Sequence, residues 1–162
     1  MDQVWERLER RSYALLAAVV VMALVSSPQV SCADEVFDGD SVEIKGQRAR
    51  LYGIDAFELS QTCLDARGQP WRCGVAAKAA LAERIQGQAV QCVVLDEDRN
   101  GWYVSRCVSG DGTDLAAYMV RSGLALADAD AYLAEEADAR RRGVGAWEGE
   151  FMAPWQWRTA AR

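Results

Sequence analysis

Residues 34–53 alternate apolar and polar positions and are rich in β-branched side chains. That period of two predicts two or three strands, with Lys45-Gly46 as a turn between them. Residues 54–73 keep no clear period and carry Gly, Pro and Cys, so they are expected to form a loop. The alanine-rich stretch 74–86 places Val75, Ala79 and Ala82 on one face, which predicts a helix ending at Gly87. Residues 88–95 and 102–108 read as two strands around "DEDRNG". If Asp98 faces Gly101, Cys92 stands directly opposite Cys107; a tighter Asn100-Gly101 turn would leave the two cysteines diagonal. The longer loop is preferred for that reason. Thr113 or Asp114 can cap a helix through Ser122, stopped by Gly123. Asp130 begins another helical stretch, "DAYLAEEADARRR", with acids early and arginines late, in keeping with the helix dipole. The tail "GAWEGEFMAPWQWR" is aromatic and is expected to pack against the domain; a stacking platform for nucleic acid is the competing reading, disfavoured by Glu148 and Glu150.

Composition narrows this picture. At 162 residues, half of them hydrophobic, the chain reads as one domain that can bury a real core. The formal net charge of -6 argues against broad nonspecific binding to nucleic acid and leaves room only for a local basic site. Histidine is absent. This excludes Ser-His-Asp and Cys-His catalysis, histidine general bases and His-containing zinc sites.

Residues 1–33 have the pattern of a targeting segment. Arg7, Arg10 and Arg11 form a basic region, followed by the apolar run Tyr13–Val25. That run is shorter than the roughly 20 residues a spanning helix needs. Small residues at Ser31 and Ala33 fit cleavage before Asp34, which makes 34–162 the mature domain; an uncleaved N-terminal anchor is the alternative. The mature form is then expected to be secreted or periplasmic, without a membrane span, and a monomer. Cleavage leaves Cys63, Cys73, Cys92 and Cys107, an even count that suggests two disulfides in an exported chain. Of three connectivities, Cys63–Cys73 and Cys92–Cys107 are favoured: the first closes a short loop around Gly68 and Pro70, the second bridges a hairpin. No Cys-x-x-Cys pair supports metal binding by these four.

The segment 36–58, "VFDGDSVEIKGQRARLYGIDAFE", holds five acids and two arginines. Asp-Gly-Asp by itself is more often a turn than a metal site. Arg50, Asp55 and Glu58 add a second signal, because a strand arginine, a carboxylate five residues on and a glutamate three beyond that can converge where strand gives way to loop. Two carboxylates can hold a hard cation such as Ca²⁺, a third can activate water, and an arginine can neutralise a phosphate. The competing reading is that these acids only bond Arg50 and backbone amides.

The order strand, "DGDS", hairpin, "RLYGIDAFE", helix, hairpin, helix, helix resembles the staphylococcal nuclease (thermonuclease) family over about residues 35 to 158. "YMVRSGLA" at 118–125 and "GVGAW" at 143–147 extend the likeness. The resemblance implies an α+β, mainly β fold: a five-stranded OB-type barrel with three helices. It implies hydrolysis of phosphodiesters in single-stranded DNA or RNA with Ca²⁺, held by Asp40, Asp55 and the Ala56 carbonyl. Glu58 would be the general base and Arg50 would hold the phosphate.

The departures from the family pattern bear on activity. Ala56-Phe57 stands where the family has Thr-Pro or Ala-Pro. In "DRNGWYVSR", Trp102 occupies the position of the family's second catalytic arginine. Arg106 shares that strand face but lies about 13 Å further along it, a poor substitute. Asp128 and Asp130 replace residues that contact the nucleotide. Losing one positioned cation costs a phosphoryl transfer about 10²–10⁵ in rate. The expectation is therefore weak nuclease activity, with an inactive nuclease-fold module that binds a protein or envelope ligand as the alternative.

Overall fold

The computed structural model describes residues 33, 35–128 and 130–160. The apolar run at 13–25 and the expected cleavage point before Asp34 lie outside the described residues. Among the described residues no helix is long and apolar enough to cross a membrane.

The main sheet has five strands in the order β1 (Glu35–Val36), β2 (Ser41–Ile44), β3 (Gln47–Leu51), β8 (Tyr103–Ser109) and β7 (Val90–Glu97). Only the β3–β8 pairing is parallel. Lys45 and Gly46 both have positive φ, 53° and 72°, and connect Ile44 to its partner Gln47. Two left-handed central residues give the turn whose twist suits a two-residue hairpin. The predicted turn is thus the observed one.

The loop expected at 54–73 contains three short strands. β4 (Ile54–Ala56) pairs with β9 (Ala125–Ala127), and β5 (Cys63–Leu64) pairs with β6 (Pro70–Trp71). Strands of two or three residues are too short to show a period, which is why the pattern missed them.

Helix α1 (Cys73–Ile85) buries Gly74, Ala77, Leu81 and Ile85, not the Val75, Ala79, Ala82 face. The buried set follows the spacing of an amphipathic stripe and carries the larger side chains Leu81 and Ile85. Two close approaches fix this helix against the acidic loops. A Cβ on Gly74 would fall 1.7 Å from the Glu58 carbonyl oxygen. A Cβ on Gly39 would fall 2.7 Å from Ala77 Cβ and 2.8 Å from Ala56 Cβ.

The β7–β8 hairpin sets Cys92 opposite Cys107, and the two are joined in a disulfide. The register then shifts between Val94 and Asp96, so Asp98 faces Trp102 rather than Gly101. The cause is local. Asp98 Oδ1 accepts the N–H groups of Asn100, at 2.8 Å, and Trp102, at 3.0 Å, an Asx turn that draws in one extra residue. The second disulfide joins Cys63 to Cys73.

Asp114 caps α2 (Leu115–Arg121) by accepting the Ala117 N–H at 3.0 Å. Helix α3 (Leu133–Arg142) starts three residues after Asp130, because Tyr132 takes a left-handed φ of 56° immediately before it. Among the described residues a fourth helix, α4 (Pro154–Ala160), goes beyond the three expected and comes from the aromatic tail. Proline at its first position costs no helical hydrogen bond, and Gln156 Oε1 accepts the Ala153 N–H at 3.2 Å.

Two apolar clusters result. The larger gathers Val42, Leu51, Ile54, Leu81, Leu115 and Met119 between sheet and helices. The smaller holds Phe57, Cys63, Cys73 and Ala146, with Trp71 and Phe151 against it. Because the Cys63–Cys73 bond lies in the smaller cluster, it staples the acidic loop to α1. The Cys63→Ala/Cys73→Ala protein is expected to lose about 3 kcal/mol of stability by the loop-closure relation. Urea unfolding against the parent measures the loss.

Candidate functional site

The site is assembled from three pieces of chain. The first is the turn before β2. Asp38 Oδ1 accepts the Asp40 N–H at 3.1 Å and also the Ser41 hydroxyl. It organises the turn. Asp40 is turned inward, 6% exposed. Its Oδ2 accepts the Ala56 N–H at 3.1 Å, and its Oδ1 lies 3.8 Å from Arg50 Nε. Burial, followed by the neighbouring Asp38 charge, pushes the Asp40 carboxyl up to about 7, against the opposing pull of Arg50 and the Ala56 N–H.

The second piece runs from β4 into the loop. Asp55 is fixed by the pairing of β4 with β9, opposite Leu126. Phe57 is fully buried and meets Phe151 edge-on at 5.3 Å. The departure from the family's proline therefore has a packing role: it pins the loop that carries Glu58. Gln61, also fully buried, accepts the Glu58 N–H at 3.2 Å through Oε1. Its Nε2 donates to the Met152 carbonyl at 2.6 Å. The loop and the C-terminal arm are thus tied together twice, by a ring contact and by a buried amide.

That tie brings in a residue that no motif in the sequence marks. Arg158, on α4, donates from Nη1 to Asp55 Oδ1 at 2.8 Å and to Glu58 Oε1 at 2.7 Å. Its Nη2 donates to Asp55 Oδ2 at 2.8 Å. This is a bidentate grip on one carboxylate with a second carboxylate on the same nitrogen. The bonds to Asp55, ahead of the opposing effect of partial burial and with help from Glu58, hold the guanidinium above its already high ordinary value. The only sequence signal was Pro154 at a helix start, with an arginine one turn along.

The third piece is the hairpin. Trp102 is half-buried, its ring 5.7 Å from Phe37. The Arg48 guanidinium lies 4.9 Å from the Phe37 ring centre and 5.3 Å from that of Trp102. Arg50 lies 5.9 Å from Trp102. Arg106 is elsewhere, over the Tyr52 ring at 5.8 Å. Asp128 donates its N–H to the Gly53 carbonyl at 2.9 Å, which sets it beside the start of β4.

The structure therefore brings Arg50, Asp40 and Ala56 together, and separately gathers Asp55 and Glu58 around Arg158. Among the described residues no three acidic or sulfur-bearing side chains group to hold a metal ion. The Ca²⁺ implied by the resemblance does not fit the residues as they stand. Asp40 is directed at the Ala56 N–H, and a guanidinium already neutralises Asp55 and Glu58.

A family model described as staphylococcal nuclease homologue matches residues 48–149. The chain is 34% identical over 145 residues to the "Succinoglycan biosynthesis protein ExoI" of Rhizobium meliloti, covering 85% of this chain and 75% of that protein. It is 34% identical over 133 residues to the "Probable staphylococcal-like nuclease CAN1" of Oryza sativa subsp. japonica, covering 76% of this chain and 36% of that one. To an "Uncharacterized endonuclease" of Escherichia coli O157:H7 it is 28% identical over 155 residues, covering 86% and 94%.

Proposed function

Taking as premise that this chain belongs to the staphylococcal nuclease homologue family, we propose that it is an exported, monomeric phosphodiesterase acting weakly on single-stranded DNA or RNA. In this reading the five-stranded sheet closes, with β4 and β9, into the OB-type barrel of the family. The single observation that carries the reading is the buried Asp40 carboxylate. It accepts the Ala56 N–H and lies 3.8 Å from Arg50, within reach of charge attraction, which supports a place for the arginine beside the loop that bears Asp55 and Glu58. Arg50 would bind a nonbridging phosphate oxygen and neutralise charge as it builds. Glu58 would take the proton from the attacking water. Ca²⁺ is the cofactor the family resemblance implies; Asp40 and Asp55 would hold it only once Arg158 lets go of Asp55, and it would supply Lewis-acid chemistry there. Weakness follows from Trp102, which supplies no guanidinium at the hairpin. Two disulfides in the described chain suit an oxidising compartment and support the export part of the reading.

A second reading, a nuclease-fold binding module without catalysis, is favoured by one observation: Arg158 engages both Asp55 and Glu58. The purified chain is expected to cleave a single-stranded oligonucleotide slowly with Ca²⁺ present and to stop with chelator. Uncut oligonucleotide after prolonged incubation, with folded protein, would select the binding module instead.

A further inference from the structure

Two arginines outside the family pattern stand near the acids, and either could replace the guanidinium missing at Trp102. Arg158 is poorly suited. Both of its Nη atoms are engaged by Asp55 and Glu58, and two carboxylates beside one guanidinium leave that neighbourhood net negative. Arg48 is placed differently. Arg48 and Arg50 are two residues apart on β3, so both side chains project from the same face of the sheet, about 7 Å apart along it. Both are about half exposed, at 53% and 50% of the side chain. Their carboxylate neighbours are distant for hydrogen bonds, Glu43 at 3.7 Å from Arg48 and Asp40 at 3.8 Å from Arg50. In both pairs the nearest nitrogen is Nε, so neither carboxylate takes the Nη edge in a bidentate grip.

Trp102 is the ring the two guanidinium groups share, with Phe37 a second and nearer ring for Arg48. The parallel pairing of β3 with β8 sets Ala49 beside Tyr103, so Trp102 stands beside Arg48. Its backbone is fixed on both sides by Asp98, which donates to its carbonyl at 2.8 Å and accepts its N–H at 3.0 Å. Both guanidinium groups lie within 6 Å of its ring centre, the range of a cation–π contact. A cleft of about 370 Å³ opens beside Arg48, lined also by Gly46, Gln47, Asn100, Gly101, Trp102 and Tyr103, with Arg50 outside its lining.

We infer that Arg48 is the second phosphate-binding residue of this protein, paired with Arg50 on the Trp102 ring to grip the backbone of a single-stranded nucleic acid. The inference rests on the phosphodiester reading above. Trp102 is then a positioning residue. It supplies no charge itself, but its ring keeps the Arg48 guanidinium beside that of Arg50. On a chain of net charge -6, a local pair of this kind is how a polyanion could be held at all.

The test is the binding of a fluorescent single-stranded oligonucleotide to the full chain in chelator, by anisotropy, over a series of salt concentrations. Each phosphate contact on a single strand contributes about 0.7 to the slope of log affinity against log salt. Arg48→Gln is expected to weaken binding at least threefold and to flatten that slope by about 0.7. Arg141→Gln, the same charge change on α3, should leave both near the parent. Trp102→Leu should weaken binding with the slope kept, because Arg48 remains charged but loses its seat; Trp102→Phe should restore most of the affinity. Circular dichroism checks folding of each variant, and Arg48→Lys, which keeps the charge and loses the stack, should resemble Trp102→Leu. An Arg48→Gln protein no different from the Arg141→Gln control would overturn the assignment. Tighter binding of polygalacturonate than of the oligonucleotide would overturn nucleic acid as the ligand. A parent that binds no oligonucleotide in chelator would also overturn it, whereas the nuclease reading stands or falls on Ca²⁺-dependent cleavage measured alongside.

Discussion

Replacing Arg158 by glutamine should raise the affinity of the chain for Ca²⁺ by at least tenfold. In the parent, Asp55 and Glu58 share one guanidinium through three bonds of 2.7–2.8 Å. A divalent cation arriving there must displace those bonds and also face the repulsion of a fixed positive charge. Glutamine removes the charge and leaves two carboxylates close together, whose mutual repulsion a cation relieves. The guanidinium stays protonated at every workable pH, because the Asp55 and Glu58 bonds raise a group that already titrates far into the alkaline range. Acidity or alkalinity therefore cannot do what the substitution does. The helix should remain docked in the variant. Phe151 against Phe57 and Trp147, and Gln61 on the Met152 carbonyl, hold the arm independently of Arg158. Isothermal titration calorimetry on the parent and Arg158→Gln reads the change, with Asp55→Asn in the same background returning the affinity to a low value. Equal, weak affinity in the folded Arg158→Gln protein would mean that the separation of the carboxylates, not the guanidinium, bars the cation.

The contrast between Arg50 and Arg158 shows what the sequence could carry. Arg50, Asp55 and Glu58 lie within nine residues of chain, so their order along strand and loop is legible, but the structure pairs Arg50 with Asp40 and gives Asp55 and Glu58 to Arg158. The period-two pattern at 34–53 and the Lys45-Gly46 turn likewise depend on neighbours in sequence. The cysteine pairing was legible for the same reason, since loop length and hairpin register limit which thiols can meet. Arg158 depends on contacts 100 and 103 residues away. No local period encodes where a tail docks; that is decided by Phe57, Gln61 and the Cys63–Cys73 cluster acting together. Phe57 itself was visible only as a missing proline, because its role as a core anchor needs Phe151 opposite it. Arg48 was visible as a charge on a strand. Its relation to Trp102 follows from the parallel β3–β8 register, which the alternation of polar and apolar residues does not specify. The buried face of α1 is hidden in the sequence because alanine marks both faces of an alanine-rich helix, and Leu81 and Ile85 decide between them only once the sheet is in place.

Glu58→Gln is expected to reduce nucleic-acid cleavage by about 10²–10⁴, the usual contribution of a positioned general base. Glutamine is close to isosteric with glutamate, and its Oε1 can still accept from Arg158. The Glu58 backbone N–H keeps its bond to Gln61, and its carbonyl still accepts the Gln61 N–H at 2.7 Å. The loop also remains clamped by Gly74, whose lack of a side chain lets α1 approach the Glu58 carbonyl. What the substitution removes is the ability to take a proton from water. The fall should therefore appear in kcat, while oligonucleotide affinity in chelator stays near the parent, since the substitution leaves Arg48 and Arg50, the proposed phosphate-binding pair, unchanged. Arg48→Gln should show the opposite balance, with affinity lost first. An Arg158→Gln protein, if metal entry limits the parent, should cleave faster, and adding Glu58→Gln to it should erase that gain. Full cleavage by a homogeneous Glu58→Gln preparation would sink the role given to Glu58. It would place the proton acceptor on another group, with Asp55, freed of Arg158 in the same background, as the next carboxylate to substitute.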